Sequence, residues 1–321
     1  MKLSYSRINL WRRCHYAHYL KYVKKLVPKK KAGALLRGSV IHKCIEAYNN
    51  GKSWKKVFKK FETEFYKTHF AEEIVEKGDI PKMAREILEN YFYYYDDDGL
   101  DYLHNEFHFI LPLVNGIEIE GYIDAVVQRE DDKKIWTKET KTYARSPNRE
   151  FLLFNGQSAI YTWATSEMGI KTEGTLWDII KAKEPSRPRF TKTGKLSQAA
   201  IDSTPYTLRK GIIEMGLNPV EYEDFINSVS YEAFLFRYPI RLNRKVVKSL
   251  MEDTVNTALE IAERGETTND KNLTRDCSWC SYREICQAEL MGMDTDYITK
   301  SGFEKRKKEE DIKDEAKAEE D

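Results

Sequence analysis

The sequence lacks an apolar run long enough to cross a bilayer, which takes roughly 18 consecutive residues. Its N-terminus also lacks the apolar core of a signal peptide. From these absences we expect neither a membrane-spanning helix nor a secretory leader, and we predict a cytoplasmic protein. Histidine is absent from the last third of the chain, so a soft-metal site in that region would have to be built from cysteine.

Length and composition indicate a globular protein with a substantial core. The chain has 321 residues, of which 41% are hydrophobic, enough for one large domain or two small ones. We predict a single domain over residues 1–303. Residues 304–321 include 15 charged side chains and have almost nothing to bury, so we predict a disordered tail there.

Positive charge is concentrated in two segments although the net charge is only +1. The first 45 residues hold twelve Lys or Arg, interleaved with aromatic side chains, and no acid. Residues 181–210 hold eight basic side chains and two acidic ones. Two such segments could line a groove for a phosphate backbone, and a solvated lysine-rich surface would give the same pattern.

Hydrophobic periodicity predicts helices first, then a group of strands, then mostly helix. The turn signals are Asn115-Gly116 and the run 130–132. The predicted helices are 6–24, 39–49, 53–95 with a break near Gly78 and Pro81, 151–168 and much of 220–265; the predicted strands are 105–114, 117–128, 133–142 and 175–182.

The second and third predicted strands carry the reactive side chains. In 117–128, alternation places Asp124 on the face opposite Ile123 and Ala125, and Gly121 three residues earlier permits close approach. Glu139 and Lys141 are two residues apart and therefore share a face. An Asp and a Glu on adjacent strands can hold a hard divalent cation, while a lysine beside them can orient or help deprotonate a water.

Five motifs follow one another along the chain. They are a helix with His42, the Gly121–Asp124 strand, the Glu139-Thr140-Lys141 strand, the Gln157-x3-Tyr161 helix, and a cysteine pattern with Cys14 before the histidine and Cys277-x2-Cys280-x5-Cys286 at the C-terminal end. In this order they resemble the RecB-like branch of the PD-(D/E)XK nuclease superfamily. The resemblance implies a mixed α/β, restriction-endonuclease-like sheet flanked by helices. It also implies a helical insertion at about 50–100 and an iron–sulfur region at about 266–290.

Site roles follow from that resemblance. It implies that His42, Asp124 and Glu139 bind Mg²⁺ or Mn²⁺ and that Lys141 assists the attacking water. Gln157 and Tyr161 would position the DNA or the surrounding side chains. Glu106, placed just before the first strand of the catalytic sheet, resembles a commonly acidic site.

The cysteines leave two metals open. Three closely spaced thiols cannot complete a four-coordinate site, and Cys14 is the best-placed fourth ligand for Cys277, Cys280 and Cys286. The pattern favours a structural [4Fe–4S] cluster over structural zinc, which usually pairs two knuckles. Cys44 is left over and is predicted to be a small buried side chain.

The activity implied by the resemblance is metal-dependent hydrolysis of DNA phosphodiester bonds. We expect an exonuclease on ends or single strands that serves DNA recombination, repair or phage DNA processing, with a recombination or replication protein as a partner. Such an enzyme would work in the host cytoplasm if phage-encoded. The alternative is a DNA-binding recombination accessory protein with a vestigial nuclease site.

Overall fold

The computed structural model describes residues 1–29, 33–71, 74, 78–145 and 147–306. Residues 30–32 of the N-terminal basic segment and 307–321 of the predicted tail lie outside these ranges. No helix within the described ranges is both long and apolar enough to span a membrane.

One mixed sheet is the centre of the fold. Within the described residues it has six strands: β1 (Lys2–Leu3), β3 (Leu100–Val114), β4 (Ile117–Arg129), β5 (Ile135–Tyr143), β6 (Gly174–Lys181) and β7 (Leu235–Arg241). Their order is β1-β4-β5-β6-β7, with β3 also paired to β4. The β1–β4 and β5–β6 pairs are parallel, and the others are antiparallel. This arrangement confirms the predicted mixed sheet flanked by helices.

The β3–β4 hairpin forms where the sequence predicted a turn. Asn115 and Gly116 have φ angles of 46° and 76°, the left-handed backbone that a tight two-residue hairpin requires and that this dipeptide adopts easily. Strand β3 begins at Leu100, five residues earlier than predicted. Its first part pairs with the end of β4, as in Asp101 opposite Gln128.

Helices cover the two faces of the sheet. On one face Trp11, Ile160 and Ala258 pack with Ile119 of β4, and on the other Ile41, Phe58 and Leu88 pack with Ile180 of β6. The helices are α1 (Tyr5–Arg13), α2 (His15–His18), α3 (Gly33–Asn49), α4 (Trp54–Thr68), α5 (Ile80–Tyr94), α6 (Arg149–Leu153), α7 (Gly156–Glu167), α8 (Pro205–Glu214), α9 (Glu223–Asn227), α10 (Arg244–Arg264), α11 (Arg283–Leu290) and α12 (Asp296–Gly302).

Two segments predicted to be helical are largely so, but each is interrupted. The segment 6–24 is interrupted at Cys14, whose backbone is extended at φ −165°, and resumes as α2 and a π-helix over Tyr19–Val23. The segment 220–265 contains β7, because residues 235–241 pair with β6. The long predicted helix does break near Gly78, where the Asp79 side chain accepts the Lys82 amide and Pro81 lies in the first turn of α5.

The two ends of the described chain meet in a second, two-stranded sheet. Strand β2 (Leu26–Pro28) pairs antiparallel with β8 (Phe303–Lys305), and Lys305 Nζ donates to the Lys24 carbonyl at 2.6 Å. Residues 304 and 305 thus belong to a strand, whereas their composition placed them in the tail. Strand pairing uses backbone N–H and C=O groups, which remain available when the side chains are charged.

Candidate active site and cysteine cluster

Strand β4 has a gap along one edge, and the Gly121–Asp124 motif lies at this gap. Strand β3 occupies the other edge along nearly the whole strand. On the gapped edge, β1 pairs with residues 118–119 and β5 pairs with residues 125–128. Among the described residues no strand pairs with 120–124 on this edge, so the motif faces an opening in the sheet.

An aromatic ring leaves no room for a side chain at Gly121. A Cβ on this residue would lie 2.7 Å from Cζ of Phe109 and 3.5 Å from Cε1 of Tyr161. Phe109 is its register partner on β3. The sequence predicted that some group approaches Gly121 closely, and this group is the buried ring of Phe109.

Asp124 is held where three elements meet. The Thr140 amide of β5 donates to Asp124 Oδ2 at 2.9 Å, and His42 Nδ1 of α3 lies 3.5 Å from the same oxygen. The His42 side chain is only 4% exposed. Two residues predicted to act together, one on a helix and one on a strand, thus lie side by side.

Glu139 is the centre of a second set of contacts. Its Oε1 lies 3.1 Å from Lys141 Nζ and accepts a 3.0 Å hydrogen bond from Gln157 Nε2. Gln157 Nε2 also donates to Tyr161 Oη at 2.9 Å, and this hydroxyl donates to the Tyr122 carbonyl at 2.6 Å. Gln157 and Tyr161 lie on one face of the helix, as predicted from their spacing, and this face contacts the sheet.

The start of α7 fixes this geometry. The predicted helix 151–168 is divided into α6 and α7, and the Asn155 side chain between them accepts the Gln157 amide at 2.9 Å. An asparagine cap aligns the first turn of a helix. It therefore places Gln157 at the end of α7 that faces Glu139.

A buried charge network on the other face of β5 was not predicted. Lys138 Nζ lies 2.5 Å from Asp178 Oδ2, and Arg237 Nε lies 3.1 Å from Asp178 Oδ1. Lys138 also donates to Thr140 Oγ1 at 3.1 Å, so the network holds the residue whose amide binds Asp124. The signal in the sequence was a run of consecutive polar residues at 137–142 in a strand that proves to be buried.

Opposing effects act on the Asp178 carboxyl. Burial raises its pKa, but the charges of Arg237 and Lys138 and a hydrogen bond from Tyr91 outweigh burial and hold the pKa well below its ordinary value. Asp178 is therefore ionised in the folded protein although it is fully buried.

Strand β3 changes conformation beside Asp124. Glu106 has a φ of 46° and lies between the pairs Asn105–Ala125 and Phe107–Ile123. It is inside β3, not before it as predicted. Ala125 packs with Val127, Trp136 and Leu176, whereas Ile123 belongs to the main core, so the expectation that Ala125 and Ile123 share a face was wrong. A left-handed residue in one strand twists the pair locally, and here it does so at the aspartate.

The donor set at this site suits a hard divalent cation, which prefers carboxylate oxygen and accepts imidazole. Asp124, Glu139 and His42 supply two carboxylates and one imidazole. In the described part of the chain, however, no three His, Cys, Asp or Glu side chains are arranged so that they could hold a metal ion. The donor chemistry fits the predicted cation, while the carboxylates contact Thr140, Lys141 and Gln157.

The four predicted cluster cysteines come together. Cys14, Cys277, Cys280 and Cys286 line one cavity of about 300 Å³. Burial raises the pKa of Cys286, and the nearby thiols of the other three raise it further against the opposing charge of Lys271. Four thiols fit an iron–sulfur cluster or zinc. Among the described residues, however, no three of these side chains are arranged so that they could hold a metal ion.

Cys44 lies elsewhere, as predicted for the left-over cysteine. It is buried on α3, its Sγ lies 3.8 Å from the Trp54 carbonyl, and burial raises the pKa of its thiol to about 12. A thiol in this setting stays protonated near neutral pH and is inert.

The second basic segment is largely occupied by ion pairs. Lys181 and Lys183 contact Asp202, and Arg187 contacts Glu86 and Glu214. Arg209 and Lys210 contact acids as well, so five of the eight basic side chains in 181–210 have acidic partners. These pairs join the segment to α5, α8 and α9 and compensate most of its positive charge.

Comparison with known proteins gives the family. Residues 2–287 match the model of the PD-(D/E)XK nuclease superfamily, and no curated protein matches the chain. Twelve chains of solved structures match. One, described as "Crystal structure of SSO0001", aligns with a TM-score of 0.35 and 13% identity over 90% of this chain and 87% of that chain. Since the family model spans nearly the whole sequence, this chain belongs to the PD-(D/E)XK nuclease superfamily, a membership that indicates a metal-dependent nuclease.

Proposed function

We propose that this chain is a metal-dependent deoxyribonuclease of the RecB-like branch that cuts DNA at ends or in single strands. The observation that supports this most is the convergence of His42, Asp124, Glu139 and Lys141 at the gap in β4. Their side chains come from one helix and two strands and are linked by contacts of 3.1 to 3.5 Å within the pairs Glu139–Lys141 and His42–Asp124.

In the proposed mechanism Asp124, Glu139 and His42 would hold Mg²⁺ or Mn²⁺, which when bound supplies Lewis acidity and lowers the pKa of a coordinated water. Lys141 Nζ, beside Glu139 Oε1, would orient the attacking water, and its positive charge can stabilise the charge that the nucleophile adds to the phosphate. Gln157 fixes the Glu139 carboxylate, and the Thr140 amide fixes Asp124.

We further propose that Cys14, Cys277, Cys280 and Cys286 bind a [4Fe–4S] cluster with a structural role, zinc being the alternative. Its support is the single cavity that all four thiols line. The same region is joined by direct contacts. Asn272 donates to the Arg13 carbonyl at 2.9 Å, and the Tyr282 hydroxyl donates to the Leu26 carbonyl at 2.8 Å. A metal centre there would fix the two ends of the domain to each other.

The nuclease proposal is tested with labelled linear, circular, single-stranded and double-stranded DNA in Mg²⁺ or Mn²⁺. Asp124→Asn, Glu139→Gln and Lys141→Gln should each lower the cleavage rate by at least about a hundredfold while the circular dichroism spectrum is unchanged. Asp101→Asn is the matched control, because Asp101 is an exposed carboxylate on β3.

Two outcomes would contradict the proposal. Near-wild-type cleavage by Asp124→Asn would show that the active site lies elsewhere. DNA binding by the wild-type protein without cleavage of any substrate would favour the accessory protein with a vestigial site.

A further inference from the structure

Two phenylalanines are exposed on the segment that joins two parts of the candidate active site. Phe151 is 71% exposed and Phe154 is 66% exposed. They lie between β5, which carries Glu139 and Lys141, and α7, which carries Gln157. Phenylalanine is usually buried, and one exposed ring needs no explanation. Two exposed rings within four residues of each other, on a segment between functional elements, indicate a contact surface.

The short helix α6, which precedes Phe154, is fixed to the sheet by its inner side. Leu152 is buried and packs with Trp177 and Ile179 of β6. These two residues are the register partners of Glu139 and Lys141 on β5, and the side chains of register partners project from the same face of a sheet. Helix α6 therefore packs on the face from which the two candidate catalytic side chains project.

Hydrogen bonds hold the two phenylalanines in a defined place. At the start of α6 the Asn148 side chain accepts the Glu150 amide at 2.9 Å. The Phe154 amide donates to the Phe151 carbonyl at 3.2 Å. Residues three apart on a helical turn are neighbours, so the two exposed side chains emerge next to each other. Groups that are fixed in this way lose little conformational freedom when they bind a ligand.

The two rings are also close to the candidate active site. Phe154 is three residues before Gln157, whose side chain donates to Glu139 at 3.0 Å. The Cα atoms of Phe154 and Gln157 are therefore at most about 11 Å apart. Stacked nucleotides follow one another at about 3.4 Å along a strand. A strand with a phosphate at the active site thus has bases within reach of Phe154 about three nucleotides away.

The charge of the same segment suits DNA. Residues 144–155 contain two arginines, Arg145 and Arg149, against one acid, Glu150, and all three are exposed. The Arg149 guanidinium lies 5.4 Å from the centre of the Tyr238 ring. Exposed aromatic rings with arginines beside them are typical of proteins that bind unpaired nucleic acid strands, because every base has a flat face on which a ring can stack.

We propose that Phe151 and Phe154 form a stacking platform for the bases of an unpaired DNA strand beside the active site. This inference rests on the proposed nuclease function and specifies its substrate. Bases in a duplex are already stacked on one another, so the platform favours a single strand or an unpaired end. A protein partner would use the same apolar surface, but the position next to Glu139 and Lys141 and the two arginines favour DNA.

The test measures binding without cleavage. Fluorescence anisotropy in EDTA compares a single-stranded oligonucleotide with a blunt duplex of the same sequence. Phe151→Ala and Phe154→Ala should each weaken binding of the single strand by about 5- to 100-fold and binding of the duplex by less than about twofold. Phe154→Trp should keep the wild-type affinity, because a tryptophan ring also stacks on bases.

An abasic strand of the same length separates stacking from phosphate contacts, because it keeps the phosphates and lacks the bases. The wild-type protein should bind it much more weakly than the intact strand, whereas the two alanine variants should distinguish the two strands much less. The control is Phe70→Ala, the same change at a 77% exposed phenylalanine two residues after α4, which packs on the other face of the sheet. This variant should bind every strand as the wild-type protein does.

Two results would overturn the proposal. An alanine variant that loses the same affinity for single strand and duplex, or for intact and abasic strands, does not lack a stacking contact. Unchanged binding of every strand by both alanine variants would instead indicate that the apolar surface serves a protein partner. Melting temperatures check that the variants are folded, which is expected because both rings are exposed.

Cleavage of the same DNA in Mg²⁺ or Mn²⁺ separates this proposal from the nuclease function. If no DNA is cut while the alanine variants show the base-dependent loss of binding, the nuclease function fails and the stacking platform stands. If the wild-type protein cuts DNA and the variants bind every strand as it does, the nuclease function stands and the platform fails.

Discussion

Gln157 Nε2 donates to Glu139 Oε1 at 3.0 Å, which connects helix α7 to the carboxylate at the centre of the candidate active site. Both side chains are buried. A carboxylate that must bind a cation is useful only if its orientation is fixed before the substrate arrives. The helix supplies this orientation, and the predictions below start from it.

Replacing Gln157 with Leu should lower the cleavage rate by roughly 10- to 100-fold, the usual cost of losing a partner that orients a ligand. The concentration of Mg²⁺ or Mn²⁺ that gives half-maximal activity should rise as well, because the carboxylate is no longer fixed. Activity is measured against metal concentration, with Gln128→Leu, near the end of β4, as the control. An unchanged metal dependence would show that Gln157 has no positioning role.

Replacing Asp178 with Asn should lower the free energy of unfolding by about 3–5 kcal/mol, because it leaves the buried charge of Lys138 without its carboxylate and Arg237 with only that of Asp98. Asp296→Asn breaks an exposed pair with Lys300, in which the side chains are 71% and 78% exposed, and should cost about 0.5 kcal/mol or less. Urea denaturation measures both. Equal effects would show that the buried network contributes little.

The same network predicts an acid-sensitive fold. The pKa of Asp178 is lowered in the folded state by Arg237 and Lys138 in spite of burial, whereas an unfolded aspartate has a pKa of about 3.9. The stabilisation is therefore complete above about pH 4 and is lost as the pH falls further. Asp178→Asn should remove this contribution, so its stability should change less than that of the wild-type protein below pH 4.

His18 predicts a second loss of stability at acidic pH, over a different range. Burial and the charges of Arg7, His15 and Lys21 lower its pKa to about 3, whereas an unfolded histidine has a pKa of about 6.5. Between these values only the unfolded state binds the proton, so stability falls as the pH drops, by up to about 1.4 kcal/mol per pH unit. His18→Gln should flatten the profile from pH 6 to 4, and His104→Gln, at an exposed position, should not.

Loss of a cluster cysteine should damage stability before it damages chemistry. Cys14 and Cys277 are 263 residues apart, and a metal centre that joins them restricts the unfolded chain strongly. Cys14→Ala and Cys286→Ala should give colourless protein with a lower melting temperature, whereas Cys44→Ala should keep its colour.

Iron, sulfide and zinc analysis after anaerobic purification decides which metal is bound. About four irons and four sulfides per chain, with broad absorbance near 400 nm, would support the cluster. One zinc and no iron would overturn it without affecting the nuclease proposal.

The sequence by itself determined the local features of this protein. The Asn115-Gly116 turn needs only backbone preferences, and the shared face of Glu139 and Lys141 needs only the period of a strand. The helical spacing of Gln157 and Tyr161 likewise directs both side chains to one side. Because each of these depends on residues within four positions of one another, a pattern in the chain is enough to predict it.

Tertiary structure decided what depends on distant residues. The helix breaks at Cys14, where the flanking backbone contacts Asp270 and Asn272, and residues 235–241 become a strand because β6 offers a free edge. Lys138 is buried only because the carboxylate of Asp178, on a neighbouring strand, balances its charge. The gap in β4 is set by where β1 and β5 pair with it. Charge compensation and strand pairing are properties of contacts between segments, so they are fixed only when the chain folds.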